Sequence, residues 1–214
     1  MARPVRSVIL GAPGSGKGTQ AERVAERLGI PAISTGEMLR AAVSAGSELG
    51  QRVAAVLNSG ALVDDETMAE VVKSRLAADD AQVGFLLDGY PRNQGQANTL
   101  AGILDELEES LDIVWFIDVP EEELIRRALA RRREDDKEEV IRHRIELYRE
   151  VTNPLVAHYS EMGLVESIDG DQPIEDVTEA LMAAFDARFA ATPAGSGAEP
   201  TASGEETVSG EETV

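Results

Sequence analysis

Residues 7–10, Ser-Val-Ile-Leu, run directly into Gly-Ala-Pro-Gly-Ser-Gly-Lys-Gly-Thr at 11–19, and a helical pattern follows at 20–28. An apolar strand, a glycine-rich turn and a helix in that order constrain the fold more than any other stretch. Gly11, Gly16 and Lys17 fit the G-x4-G-K pattern of a phosphate-binding loop, in the strand-to-helix context that pattern needs. Glycines let backbone N–H groups turn toward an anion, and the helix N-terminus adds a favourable dipole. Lys17 supplies a mobile point charge. A plain tight turn with an incidental lysine is the bland alternative, and the flanking pattern argues against it. Gly18 stands where a Ser or Thr usually follows the lysine, and the hydroxyl comes one residue later, at Thr19.

The same alternation continues down the chain. Short apolar runs at 32–33, 85–87, 114–117 and 164–165 are separated by helical patterns at 37–45, 49–58, 67–77, 94–108, 121–132, 137–159 and 174–189. Strands alternating with helices predict an α/β fold, a five-stranded parallel sheet flanked by helices. Ligands of such sheets bind beyond the carboxyl ends of the strands. The chemistry is therefore expected near Gly11, Ser34, Asp88 and Asp118. From about Thr192 the composition shifts to small residues and glutamates, with S-G-E-E-T-V twice at 203–214. Such a stretch has too little apolar surface to fold, which predicts one domain over 1–191 and a disordered acidic tail over 192–214.

The formal net charge of −20 argues against nucleic acid and anionic membranes as partners. It also predicts self-repulsion in dilute buffer that salt would screen, as in a protein working at high salt. No run of eighteen apolar residues predicts a membrane span, and the first residues lead at once into a strand, leaving no room for a leader. The absence of cysteine excludes disulfides and thiolate zinc. A cytoplasmic location is expected. Against this acidity, arginines crowd 126–133 (Arg126, Arg127, Arg131, Arg132, Arg133). A helix terminus rarely needs five cations, so the cluster is expected to meet phosphate. His143, His158 and Trp115 are expected in bland roles, solvated or packed.

Three further segments narrow the chemistry: S-T-G-E-M-L-R at 34–40, S-G-A-L-V-D-D-E at 59–66 and L-L-D-G-Y-P-R-N-Q-G-Q at 86–96. Thr35-Gly36 can cap the following helix, with Arg40 one turn along on the same side. Arg92 follows the strand-ending Asp88. Together with the loop at 11–19, and with R-R-R-E-D-D at 131–136 and R-H-R-I-E-L-Y at 142–148, these segments resemble adenylate kinase across roughly 6–190. The resemblance implies a phosphate-loop nucleoside-triphosphatase-like fold with an acceptor-binding segment at 34–63 and a lid at 130–136. It implies transfer of a phosphoryl group from ATP to AMP, giving two ADP.

By that resemblance Gly14, Ser15, Gly16, Lys17, Gly18, Thr19, Arg131 and Gly170 hold ATP. Thr35, Arg40, Ala61, Leu62, Val63, Gly89, Tyr90, Pro91, Arg92, Gln96, Arg133 and Arg144 hold AMP, with Gln96 reading the adenine edge. Lys17, Arg92, Arg131, Arg133 and Arg144 surround the transferred group. Magnesium is expected with ATP, with Asp88 reaching it through water and no direct protein ligand. The lid is too short for the inserted sheet of longer-lid relatives, so no zinc is expected. Arg132 departs from the short-lid pattern, in which glycine is expected. The implied partners are ATP and AMP alone, bound to a monomer. Three rivals stay open at this stage: a UMP or CMP kinase, which would tend to carry alanine at 35, a GTP-dependent AMP kinase, and a nucleotide switch.

Overall fold

The computed structural model describes residues 4–131 and 137–190. Five parallel strands form the sheet: β1 (Val5–Leu10), β2 (Ala32–Ser34), β3 (Gly84–Asp88), β4 (Ile113–Asp118) and β5 (Val165–Asp169), in the order β2-β3-β1-β4-β5. β1 is central, and Val8 stands level with Leu87 of β3 and Val114 of β4. The connections from β1 leave toward β2 on one side and return to β4 on the other. A crevice opens at the carboxyl end of β1 in such a topology.

Helices α1 (Lys17–Leu28), α6 (Glu121–Arg131), α7 (Glu138–Leu147) and α9 (Ile174–Ala190) cover one face, packing Val24, Leu124, Ile141 and Leu181 against Ile9, Leu86 and Trp115. On the other, α2 (Thr35–Ser44), α3 (Glu48–Ser59), α4 (Asp65–Leu76), α5 (Gln94–Glu106) and α8 (Pro154–Glu161) pack Leu39, Val53, Val72, Leu100 and Leu155 against Val8, Leu10 and Leu87. Successive strand residues point to opposite faces. Apolar side chains are therefore needed at consecutive positions, which is why 8–10 of β1, 85–87 of β3 and 113–117 of β4 read as unbroken apolar runs.

One predicted helix is in fact three pieces. The span 137–159 divides into α7, a π-helical turn at Tyr148–Thr152, and α8 starting at Pro154. Proline lacks the N–H that a continuing helix would need, and suits a first helical position instead. The last strand also runs later than the predicted 164–165, ending at Asp169. Trp115 is fully buried as expected, His143 is exposed, and His158 is half-buried beside the Tyr159 ring. The predicted tail, together with lid residues 132–136, lies outside the described residues. No described helix is long and apolar enough to cross a membrane.

Candidate active site

The turn after β1 is built to present backbone donors. The Ser15 N–H donates to the Ala12 carbonyl at 3.0 Å, and α1 then starts from Gly16 with no side-chain cap and no acid in its first turn. By contrast α3, α4 and α5 are capped by Ser47, Asp64 and Asn93. An uncapped helix start leaves N–H groups for an anion. Gly14 has φ of +93°, and a Cβ there would stand 2.3 Å from the Leu124 carbonyl oxygen. No other residue fits. The Ser15 hydroxyl is buried inside the turn without a protein partner.

A cavity of about 630 Å³ opens over this turn. Its floor is Gly14, Ser15, Gly16, Lys17, Gly18 and Thr19, and Arg127, Arg131 and Gly170 form one side. Every predicted ATP-binding residue thus lies on one wall system. A second space of about 160 Å³ is lined by Ala61, Leu62, Pro91 and Arg144, and a narrow slot of about 20 Å³ by Thr35, Val63, Met68 and Gln96. The two larger cavities share Lys17, Arg40, Arg92 and Arg131, and the slot is continuous with the second through Arg92 and Gly89. Four cations therefore stand along the boundary between two ligand-sized spaces.

β3 delivers the acceptor wall. Asp88 ends the strand, and at Gly89 (φ +85°) a Cβ would stand 2.8 Å from the Thr35 hydroxyl. Arg92 folds back and donates from Nε to the Gly89 carbonyl at 2.7 Å, which fixes its guanidinium in the cleft. Burial pushes its pKa down; Asp88 pulls the other way, and Arg144 and Arg40 add to the depression. Arginine's high ordinary value keeps it charged regardless. Like charges gathered this way attract an anion, which relieves their repulsion. Arg144 reaches the same space from α7, its Nη2 donating to the Leu57 carbonyl of α3 at 3.0 Å.

Several expectations need correction. Thr35 does not cap α2; Ser34 holds that position, and the buried Thr35 hydroxyl instead donates to the Asp88 carbonyl at 3.3 Å. Arg126 is absent from the cavity walls: it is largely exposed and pairs with Glu123. Helical spacing explains this, because Arg127 and Arg131 lie four apart on the inward side of α6 and Arg126 lies about 100° away. Arg126 and then Arg127 hold the Glu123 carboxyl down at about 2. Asp118 faces a separate, open hollow with Asp169 and Asp171 rather than the cleft. Tyr90 is turned into the core, not onto a cavity wall. Arg133 lies outside the described residues.

Gln20 was not singled out from sequence, and Arg127 was named only as one of the arginine run expected to meet phosphate. Arg127 lines the donor-side cavity and donates from Nη1 to the Gly170 carbonyl at 2.8 Å. Gln20, buried on α1, donates to the Ile174 carbonyl at 2.9 Å and accepts from Thr178 at 2.7 Å. The i, i+4 spacing of Arg127 and Arg131 was the one available signal; nothing local marks a contact across 158 residues.

The sequence model of the family described as adenylate kinase matches residues 9–164. The adenylate kinase of Thermobifida fusca is 50% identical over 188 residues, covering 86% of this chain and 100% of the relative. Those of Pseudarthrobacter chlorophenolicus and Synechococcus are 46% and 48% identical over 190 and 180 residues, covering 87% and 84% of this chain and 99% and 98% of the relatives. The chain belongs to the adenylate kinase family. It is a phosphotransferase enzyme on a phosphate-loop α/β fold. In this chain the departure at Gly18 stands beside a second, arginine-lined space, which a general phosphate loop does not predict.

Proposed function

We propose that the two communicating cavities are donor and acceptor sites of one reaction, ATP + AMP ⇌ 2 ADP, which maintains the balance of adenine nucleotides. The shared wall of Lys17, Arg40, Arg92 and Arg131 carries this reading. The larger space takes ATP over the 11–19 turn. The smaller one takes the AMP phosphate beside Arg40, Arg92 and Arg144, with the adenine edge directed at the slot between Val63, Met68 and Gln96, which widens to admit it.

Phosphoryl transfer asks for in-line placement and neutralised oxygens more than for covalent help. The acceptor is itself a phosphate anion, so no strong general base is required. Lys17, Arg92, Arg131 and Arg144 supply positive charge around the travelling group, and Arg133 belongs to the same predicted set. Asp88 fits the expected magnesium: its Oδ1 is buried without a protein partner, and its Oδ2 lies 3.6 Å from where a Cβ on Gly18 would be. Asp88 would hold a water of the ion's shell, and the ion would neutralise ATP oxygens. Segments 34–63 and 130–136 are the expected closing pieces that keep water from the γ-phosphoryl. Both nucleotide spaces are walled by residues of one chain, which supports a monomer as the working form, and the cytoplasmic location expected from the sequence is proposed with it.

The test is the initial rate of ADP formation from ATP across AMP, CMP, UMP and GMP. AMP is expected to dominate. Appreciable ATP turnover without any monophosphate, or a preference for UMP or CMP, would overturn the assignment.

A further inference from the structure

A primary amide is nearly symmetric in shape and opposite in polarity at its two ends, so a base-reading glutamine is useful only if something decides which end is which. Gln96 is 1% exposed, and its two ends are held by partners of unambiguous polarity. The Arg92 backbone N–H donates to its Oε1 at 2.8 Å, and its Nε2 donates to Asp65 Oδ1 at 2.9 Å. A flipped amide would set NH₂ against an N–H and oxygen against a carboxylate. Both bonds would be lost and both contacts made repulsive.

Asp65 is itself held in place. The Asn93 amide donates to its two carboxylate oxygens at 2.9 and 3.2 Å, and Asn93 Oδ1 accepts the Gln96 N–H at 2.8 Å as the cap of α5. Asp65 is not used as the cap of its own helix, because Asp64 does that by accepting from the Thr67 N–H. Its carboxylate is exposed at the rim and reaches inward to a buried amide.

We propose that Asp65 is a positioning residue for acceptor choice, locking Gln96 in the orientation that matches a 6-amino purine and rejects a 6-oxo purine. This rests on the reading of Gln96 as the residue that meets the base edge. After its fixed bonds, the amide keeps one lone pair on Oε1 and one hydrogen on Nε2. Adenine offers a donor at N6 beside an acceptor at N1, which match them in that order. A 6-oxo purine offers acceptor then donor, the mirror order, and meets like against like. A freely turning amide would read either ring; the lock gives the pocket its direction.

The experiment compares AMP with IMP, which differ only at this edge, as acceptors for the full-length wild type and for Asp65→Ala, Asp65→Asn and Gln96→Leu. Asp65→Ala is expected to lower the AMP-to-IMP ratio of kcat/KM on the order of tenfold, the scale of one lost hydrogen bond to a charged partner. KM for ATP should stay unchanged. Asp65→Asn keeps an acceptor oxygen and should restore most of the ratio. A ratio measured within one preparation is insensitive to the fraction folded. If Asp65→Ala leaves the ratio intact while Gln96→Leu collapses it, the lock is refuted and the base-reading role of Gln96 stands. If Gln96→Leu also leaves the ratio intact, the base-reading role itself falls, and the lock with it.

Discussion

The acceptor and donor sides of the cleft are built differently. On the acceptor side the polar groups are tied before any ligand arrives: Arg92 to the Gly89 carbonyl, Thr35 to the Asp88 carbonyl, Gln96 between Arg92 and Asp65. Its base slot is about 20 Å³, against a donor-side cavity of about 630 Å³. On the donor side Arg131 is exposed, Lys17 is half-buried and Arg127 is tied to the Gly170 carbonyl, and the far wall is Gly170, Pro173, Ile174 and Val177. On the proposed reading, acceptor selectivity rests on the Gln96 amide, both ends of which are held beside the slot. The far donor wall of Pro173, Ile174 and Val177 offers shape and apolar surface, which discriminate weakly between bases.

The largest expected effect breaks both sides at once. Arg92→Ala should lower kcat by about 10²–10³-fold, as removal of a fixed donor to developing charge does, with KM for ATP little changed. A fall in affinity for AMP with kcat unchanged would show that Arg92 acts only in binding. Gly14→Ala attacks the donor side alone. The positive φ by itself costs about 1–3 kcal/mol, and overlap with the Leu124 carbonyl adds to it. Thermal melting and KM for ATP should both worsen, whereas a well-tolerated alanine would contradict the described turn.

A smaller effect sharpens the contrast. Gln20→Ala should raise KM for ATP by roughly fivefold, about 1 kcal/mol for a lost hydrogen bond to the Ile174 carbonyl, and leave KM for AMP unchanged. Replacing ATP by GTP as donor should cost less in kcat/KM than replacing AMP by IMP as acceptor. The opposite ranking would reverse the assignment of selectivity to the acceptor slot.

The smallest effect is on stability against pH. Burial first, and then the Asp65 charge, push the Tyr90 hydroxyl from 10.0 up to about 12. Its folded value exceeds its unfolded one, so its contribution is intact below about pH 10 and is lost as pH rises toward 12. Tyr90→Phe should flatten that part of an alkaline denaturation curve.

Much of the fold was legible because strand burial on two faces forces unbroken apolar runs and helices impose their own period. The phosphate turn and the arginines at 40, 92 and 131 were legible because they sit within a few residues of a strand end or on one helix face. Arg126 misled, because a run of arginines does not say which members point inward. The break at the Tyr148–Thr152 turn was hidden in a continuous helical pattern, with only Pro154 to mark it.

By itself the sequence determined the parallel sheet, the loop that cradles phosphate and the set of cations around it, since each follows from local backbone geometry and short spacing. Only the tertiary structure decided which of those cations share a wall, that Thr35 turns to a carbonyl instead of capping, and that Asp65 meets Gln96 across 31 residues. Local propensity carries no information about such encounters; they arise when strands β2 and β3 align and bring α2, α4 and α5 over the same edge. The loop at 11–19 could say that a phosphate docks, while the packing around it decides which molecule receives it.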